Sequence, residues 1–258
     1  MRKTIVLVSA LLAALIATSV AFAAGTTTLE IKASPNKVSK SKSKLRPIRL
    51  TINVGFGDSD PAAAQPPYLK KVVIRFNEGG TYNGKLFPKC KASALLAKGP
   101  SACPKGSKIG KGSATASAQP VIPSVSAVLT LFNGEPKGGV PTVIIYAVPD
   151  ISSPLTIVGT VKKGSKVSCA NGTGKCDYVL SFDVPDIPTL PGQPNAAVIT
   201  TKTQTDLVYV KKKKKGKTVK IPLIGAPVKC TGKWVADSTV SFGDGSTANA
   251  STSAPCKK

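Results

Sequence analysis

The residues that could do chemistry in this chain are few: six cysteines, one stretch rich in glycine and lysine, a repetitive serine–lysine segment and a small set of aspartates. Cys90, Cys103, Cys169, Cys176, Cys230 and Cys256 occur in a sequence of 258 residues that contains no histidine. Structural zinc sites draw on closely spaced thiolates, as in C-x-x-C, and on imidazoles; this sequence has no C-x-x-C pair and no histidine, which points away from a metal. An even set of cysteines reads instead as disulfides in an oxidising compartment. Short loops close at the least entropic cost, so the spacing favours Cys90 with Cys103, Cys169 with Cys176 and Cys230 with Cys256.

The stretch CPKGSKIGKGSATA, residues 103–116, has the composition of a phosphate cradle but not its spacing. A P-loop needs G-x-x-x-x-G-K-[ST]; here three residues separate Gly106 from Gly110, and Gly112 rather than a hydroxyl residue follows Lys111. Residues 109–122 also alternate like a strand, where a P-loop would run into a helix. The expectation is therefore a disulfide-pinned turn at Pro104 and Gly106, with glycines that let another strand approach closely. No nucleotide or other cofactor is implied.

Without histidine, serine and cysteine triads lose their usual base. Ser39 with Lys42 and Ser41 with Lys44 have S-x-x-K spacing, but no S-D-N or K-T-G accompanies them and they lie in a charged repetitive loop. Two acid pairs remain, Asp183 with Asp186 and Asp237 with Asp244 near Trp234, and glycoside hydrolysis would need such a pair to face one cleft. The sequence thus offers no convincing catalytic set and is read as a non-enzyme, with an aspartate-dependent extracellular hydrolase as the alternative.

The elements that must position these residues are strands. Valine-, isoleucine- and threonine-rich runs bounded by turn residues recur along the chain: TTLEIKA, RPIRLTINVGF, KKVVIRF, SAVLTLF, PTVIIYAV, LTIVGTV, DYVLSFDV, AAVITTKTQTDLVYV, GKTVKIPL and KWVADSTVSF. Their number and spacing predict an all-β fold, an antiparallel sandwich of immunoglobulin-like or jelly-roll-like type stapled by disulfides. One short helix is expected in KCKASALLAKG, ended by Gly99 and Pro100. Residues 24–258 are read as one domain, with a two-subdomain split near 119–124 as the other arrangement.

Two motifs carry a resemblance. FPKCKASALLAKGPSACPKGSKIGKGSA is similar to a C-(x12)-C-P-x-x-S-x-I-G-x-G pattern of secreted, β-rich actinobacterial proteins. Those proteins also close on segments like APVKCTGKW and FGDGSTANASTSAPC with a last pair of cysteines. The resemblance implies export and β structure and no particular activity. SFGDGST more faintly resembles the F-G-D-G-S hairpin of polycystic-kidney-disease-type immunoglobulin-like domains, and Asp244–Gly245 is in any case a favoured two-residue hairpin turn.

The N-terminus fits a secretory signal peptide over residues 1–23. Arg2 and Lys3 precede an apolar run, and Ala21, Phe22 and Ala23 form an A-x-A site; an uncleaved anchor is the competing reading, because the run is long enough to span a bilayer. After cleavage no transmembrane segment is expected. The formal charge is +24, from 36 basic and 12 acidic residues. Nearly all the bases are lysines, point charges suited to loose attraction rather than to bidentate reading of bases or phosphates. Only 5% of residues are aromatic, which points away from stacking platforms for single strands or sugars and from sequence-specific nucleic acid. The run Lys211, Lys212, Lys213, Lys214, Lys215 with Lys217, at the tip of a hairpin, is the candidate polyanion-binding patch; a second lysine–serine loop, PNKVSKSKSKLRP, is read as solvated.

These features combine into an expectation of a secreted or cell-wall-associated basic binding or structural protein of the envelope that contacts anionic polymers through lysine-rich loops. An adhesion module that binds a protein through an edge strand is a further alternative. The processing is checked by intact mass of the exported protein, which should correspond to residues 24–258 with two hydrogens missing for each of three bridges; a mass that retains residues 1–23 or all thiol hydrogens contradicts it.

Overall fold

A computed structural model describes residues 24–42, 44–76, 80–164, 176–187, 189, 195–214 and 216–258. Residues 1–23, read above as a signal peptide, lie outside the described residues, as do Cys169 and Lys215. The expected runs form strands β1 (Gly25–Ser34), β2 (Arg49–Asp58), β3 (Leu69–Phe76) and the two-residue β4 (Thr81–Tyr82). Helix α1 (Ala92–Lys98) follows, then β5 (Lys108–Ala118), β6 (Ile122–Lys137), β7 (Val140–Pro149), β8 (Leu155–Lys163) and β9 (Tyr178–Asp183). The chain ends with β10 (Ala197–Thr205), β11 (Tyr209–Lys214), β12 (Lys217–Pro222), β13 (Ile224–Gly225), β14 (Lys233–Phe242) and β15 (Thr247–Pro255).

Eleven of these strands make one antiparallel sheet in the order β1, β2, β10, β5, β6, β7, β8, β9, β3, β14, β15. The expected β structure is present and mostly antiparallel, but the large sheet curls into a near-closed barrel where a sandwich was expected. A sandwich needs two separate sheets. Here each strand from β2 to β14 is hydrogen-bonded on both sides, and the two end strands, β1 and β15, lie against each other. Because the strands alternate in direction and their number is odd, β1 and β15 must run the same way. The seam is accordingly parallel: Lys37 and Lys257 form a parallel bridge, with Val38 N donating to Lys257 O at 2.9 Å and Lys257 N to Asn36 O at 2.7 Å. Residues 119–121 join β5 to β6 within this sheet, and residues 122–124 begin β6.

Side-chain alternation sorts the sequence between the two faces. Along β1, Leu29 and Ile31 are buried while Thr28, Glu30 and Lys32 are exposed; along β15, Thr247, Asn249, Ser251 and Ser253 are exposed. A membrane barrel carries an apolar band outside and polar residues inside; the rows of β1 and β15 have the reverse arrangement. Among the described residues no helix is long and apolar enough to cross a membrane.

One apolar stretch of the outer wall is covered. Helix α1, built from the good helix formers alanine, leucine and lysine, buries Leu95 completely against Phe132, Ile144 and Tyr146. It ends as expected at Gly99, whose φ of 72° suits glycine and whose N–H donates to Leu95 O at 2.8 Å. The Cys90–Cys103 disulfide closes this segment.

The barrel end beneath β4 and β13 is plugged by Phe87, Ile109, Leu131 and Leu223. Asn133, 1% exposed, ties the plug to the wall. Its Nδ2 donates to the carbonyls of Gly84 (3.0 Å), Phe87 (3.3 Å) and Pro88 (2.9 Å), and its Oδ1 accepts from the Tyr82 hydroxyl at 3.0 Å. Leucine at this position fills a similar volume but strands several buried polar groups, so Asn133→Leu should lower the unfolding free energy by about 3 kcal/mol or more. Urea denaturation checks this, and a change below about 1 kcal/mol contradicts the role given to Asn133.

Candidate functional site

The cysteine pairing follows the sequence spacing where it is described. Cys90 bonds to Cys103 and Cys230 to Cys256, and Cys176 is fully buried and disulfide-bonded. The stretch 103–116 is the turn and strand it was expected to be. Ser107 N and Oγ both donate to Pro104 O, at 3.0 and 2.7 Å, and Gly106 takes a φ of 87°. A Cβ on Gly110 or Gly112 would collide with the carbonyl oxygens of Gln204 or Lys202 on β10, so these glycines serve strand approach and not phosphate binding.

The candidate acids sit in structural roles. Asp183 pairs with Lys71 at 3.4 Å and Asp186 with Lys70 at 2.7 Å, both on the surface beside β3. The contact with Asp186 also holds the Lys70 ammonium above the usual lysine range. Asp237 is buried in mid-strand, 3.1 Å from Arg75 Nη1. Asp244 lies in the β14–β15 turn, where its Oδ1 accepts from Ser246 N at 2.8 Å and Ser246 Oγ at 2.7 Å. This turn is a three-residue loop and not the two-residue turn expected. Phe242 N donates to Ser246 O, Gly245 N to Phe242 O, and Gly245 alone carries the positive φ, the arrangement of a type I turn with a glycine bulge.

The serines of the lysine-rich loop hold backbone. Ser39, 2% exposed, donates to Ala226 O at 2.5 Å and accepts from Arg46 N at 2.9 Å, and Ser41 Oγ accepts from Lys44 N at 3.1 Å. The loop is thus pinned to residues 226 and 227 and not simply solvated.

The lysine run forms one arm of a hairpin set apart from the large sheet. The single run expected over 196–210 breaks at residues 206–208, and β11 pairs only with β12. Lys211, Lys212, Lys213 and Lys214 lie along β11 and not at a tip. Register places Lys211 opposite Lys220 and Lys214 opposite Lys217. Alternation then gathers Tyr209, Lys211, Lys213, Thr218 and Lys220 on one face. Lys220 Nζ stands 4.8 Å over the Tyr209 ring, and Lys211, Lys212, Lys213 and Lys220 are all exposed. Lys220 and Tyr209 belong to the patch but not to the sequence run; the signal that finds them is the hairpin register.

The barrel interior is the other feature of functional size. It contains a cavity of about 250 Å³ to which every one of the eleven sheet strands contributes a lining residue. Left empty, such a void costs on the order of 6 kcal/mol, comparable to the whole stability of an ordinary domain.

The contrast between buried and exposed aspartates gives a direct test. Arg75→Met should destabilise by about 3–5 kcal/mol because it removes a charged partner from the fully buried Asp237, whereas Lys71→Met, at an exposed pair, should change stability by less than about 1 kcal/mol. Equal effects in urea titrations contradict the assignment of Asp237 to the framework. Comparison of the chain with protein-family models, curated proteins and solved structures returns no match, so what these residues do is read from their own positions.

Proposed function

We propose that this chain is an exported basic β-barrel that holds to an anionic polymer of the cell envelope through the β11–β12 hairpin. One observation carries the reading: the hairpin sets Lys211 directly across from Lys220 and Lys214 across from Lys217. Like charges opposed across a strand pair are destabilising. The described acids that form ion pairs, Glu30, Asp183, Asp186 and Asp237, are engaged elsewhere, with Lys32, Lys71, Lys70 and Arg75. A polyanion laid along the face of Lys211, Lys213 and Lys220 relieves that repulsion and releases its own counterions. The disulfides support an oxidising location, as an exported protein requires.

Exposed charges act only within a screening length, about 8 Å at physiological ionic strength and about 3 Å at 1 M salt. Retention on purified anionic cell-wall polymer should therefore be strong at low salt and collapse toward 1 M. With each lysine contributing about 1 kcal/mol at an anionic surface, replacing Lys211, Lys213 and Lys220 together by glutamine should weaken binding about a hundredfold. Salt-insensitive retention, or a triple variant that binds like the parent, contradicts the proposal.

A further inference from the structure

An eight-stranded barrel has an interior that side chains just fill, and diameter grows with strand number. Eleven strands therefore enclose more room than inward side chains can occupy, and several of the inward residues here are short: Ala33, Val54, Val72, Val198 and Ala254. The result is the cavity of about 250 Å³. A second cavity of about 160 Å³ shares Ile145, Ile157, Val198 and Thr201 with the first, so the two run on from one another along the lumen.

No charged side chain lines either cavity. Four of the polar side chains that line the lumen are engaged. Thr203 and Thr205 donate to Ile52 O and Leu50 O at 3.3 and 3.4 Å, and Trp234 Nε1 donates to Lys229 O at 3.3 Å. The Tyr82 hydroxyl is spent on Asn133, and burial pushes its pKa up, so it stays neutral. What remains toward the lumen is mostly methyl, methylene and ring surface, with the side chains of Thr201 and Tyr178 among it. Such a space is too apolar to hold ordered water, which needs two or more polar partners.

The two ends of the lumen differ. One is stopped by the plug of Phe87, Ile109, Leu131 and Leu223. At the other, the second cavity reaches Ile151 and Ser152 on the rim after β7, both exposed to solvent, Ile151 by 56%. A ligand can therefore enter by its apolar end at the 151–152 rim and leave any polar group outside.

We propose that the lumen is a binding site for one aliphatic chain, inserted hydrocarbon-first from the Ile151 rim. Its length follows from volume. An apolar cavity of about 150 Å³ takes the six carbons of benzene, so the smaller cavity takes roughly six carbons and the larger roughly ten, and a ten-carbon chain with its head group at the rim fills the first and enters the second. The site is independent of the lysine hairpin, which contributes no residue to either cavity.

The test uses the full mature chain and N-phenyl-1-naphthylamine, whose fluorescence reports an apolar environment, displaced by 1-decanol or by decanoate. The expected result is saturable one-to-one uptake that persists at 1 M salt. The two competitors should agree within about threefold, because the uncharged lumen does not read the head group. Val198→Phe and Ile157→Phe each place a ring where the two cavities meet, and each, if its thermal unfolding shows it folded, should weaken displacement at least tenfold. The variant in which Lys211, Lys213 and Lys220 become glutamine should bind the chain as the parent does. Absence of saturable uptake by the parent overturns the proposal, as does unchanged binding in the folded blocking variants. Displacement by decanoate alone also overturns it, since a charged site elsewhere would then be responsible.

Discussion

Near-closure of the eleven-stranded sheet into a ring is the constraint on which the rest of this structure depends. An open antiparallel sheet of eleven strands would present two long edges, and edges invite pairing with other chains. Here the first strand and the last, β1 and β15, meet, so the seam must be parallel and must join the two ends of the folded chain. The Cys230–Cys256 disulfide anchors the residues just beyond β15 to the segment before β14. The backbone bonds among Asn36, Val38 and Lys257 fasten the same corner. Closure is also what creates an inside, and with it the division of each strand into an apolar inner row and a hydrophilic outer one.

That division explains where the lysines go. A strand in the wall must offer an apolar residue at every second position, and four successive lysines at 211, 212, 213 and 214 cannot do so in either register. The chain therefore leaves the barrel after β10, forms the β11–β12 hairpin in solvent, and returns at Leu223, which is 1% exposed and belongs to the plug. The same logic gives two surfaces of opposite character on one scaffold: an electrostatic face whose reach depends on salt, and a lumen whose affinity for hydrocarbon does not.

Much of the local structure was legible in the sequence, and the global closure was not. Helix α1 was readable because alanine, leucine and lysine precede a Gly–Pro stop, and the bridges of Cys90 with Cys103 and of Cys230 with Cys256 because short loops close cheaply. β15 escaped notice because its inward positions are the small residues Ala248, Ala250 and Ala254, which give little hydrophobic signal and owe their register to β14. β4 and β13, two residues each, are too short for any periodicity. The choice between sandwich and barrel rests on pairings between strands far apart in the chain, β2 with β10 and β3 with β9 among them, and alternation within a strand says which face is buried but not which neighbour it meets. For the candidate site, the lysine run was visible, but its companions Lys220 and Tyr209 come from the register of the hairpin, and the lumen is a property of the closed ring alone.

A crystal of the mature protein pressurised with xenon tests the closed, hollow barrel most directly, because xenon enters dry apolar cavities and leaves hydrated or filled ones empty. The account requires xenon density inside the ring, in contact with Ile52, Ile74, Ile145 and Leu180 from four different strands, with β1 and β15 side by side at the seam. A tightly filled interior without xenon, or two stacked sheets with β1 and β15 apart, contradicts it.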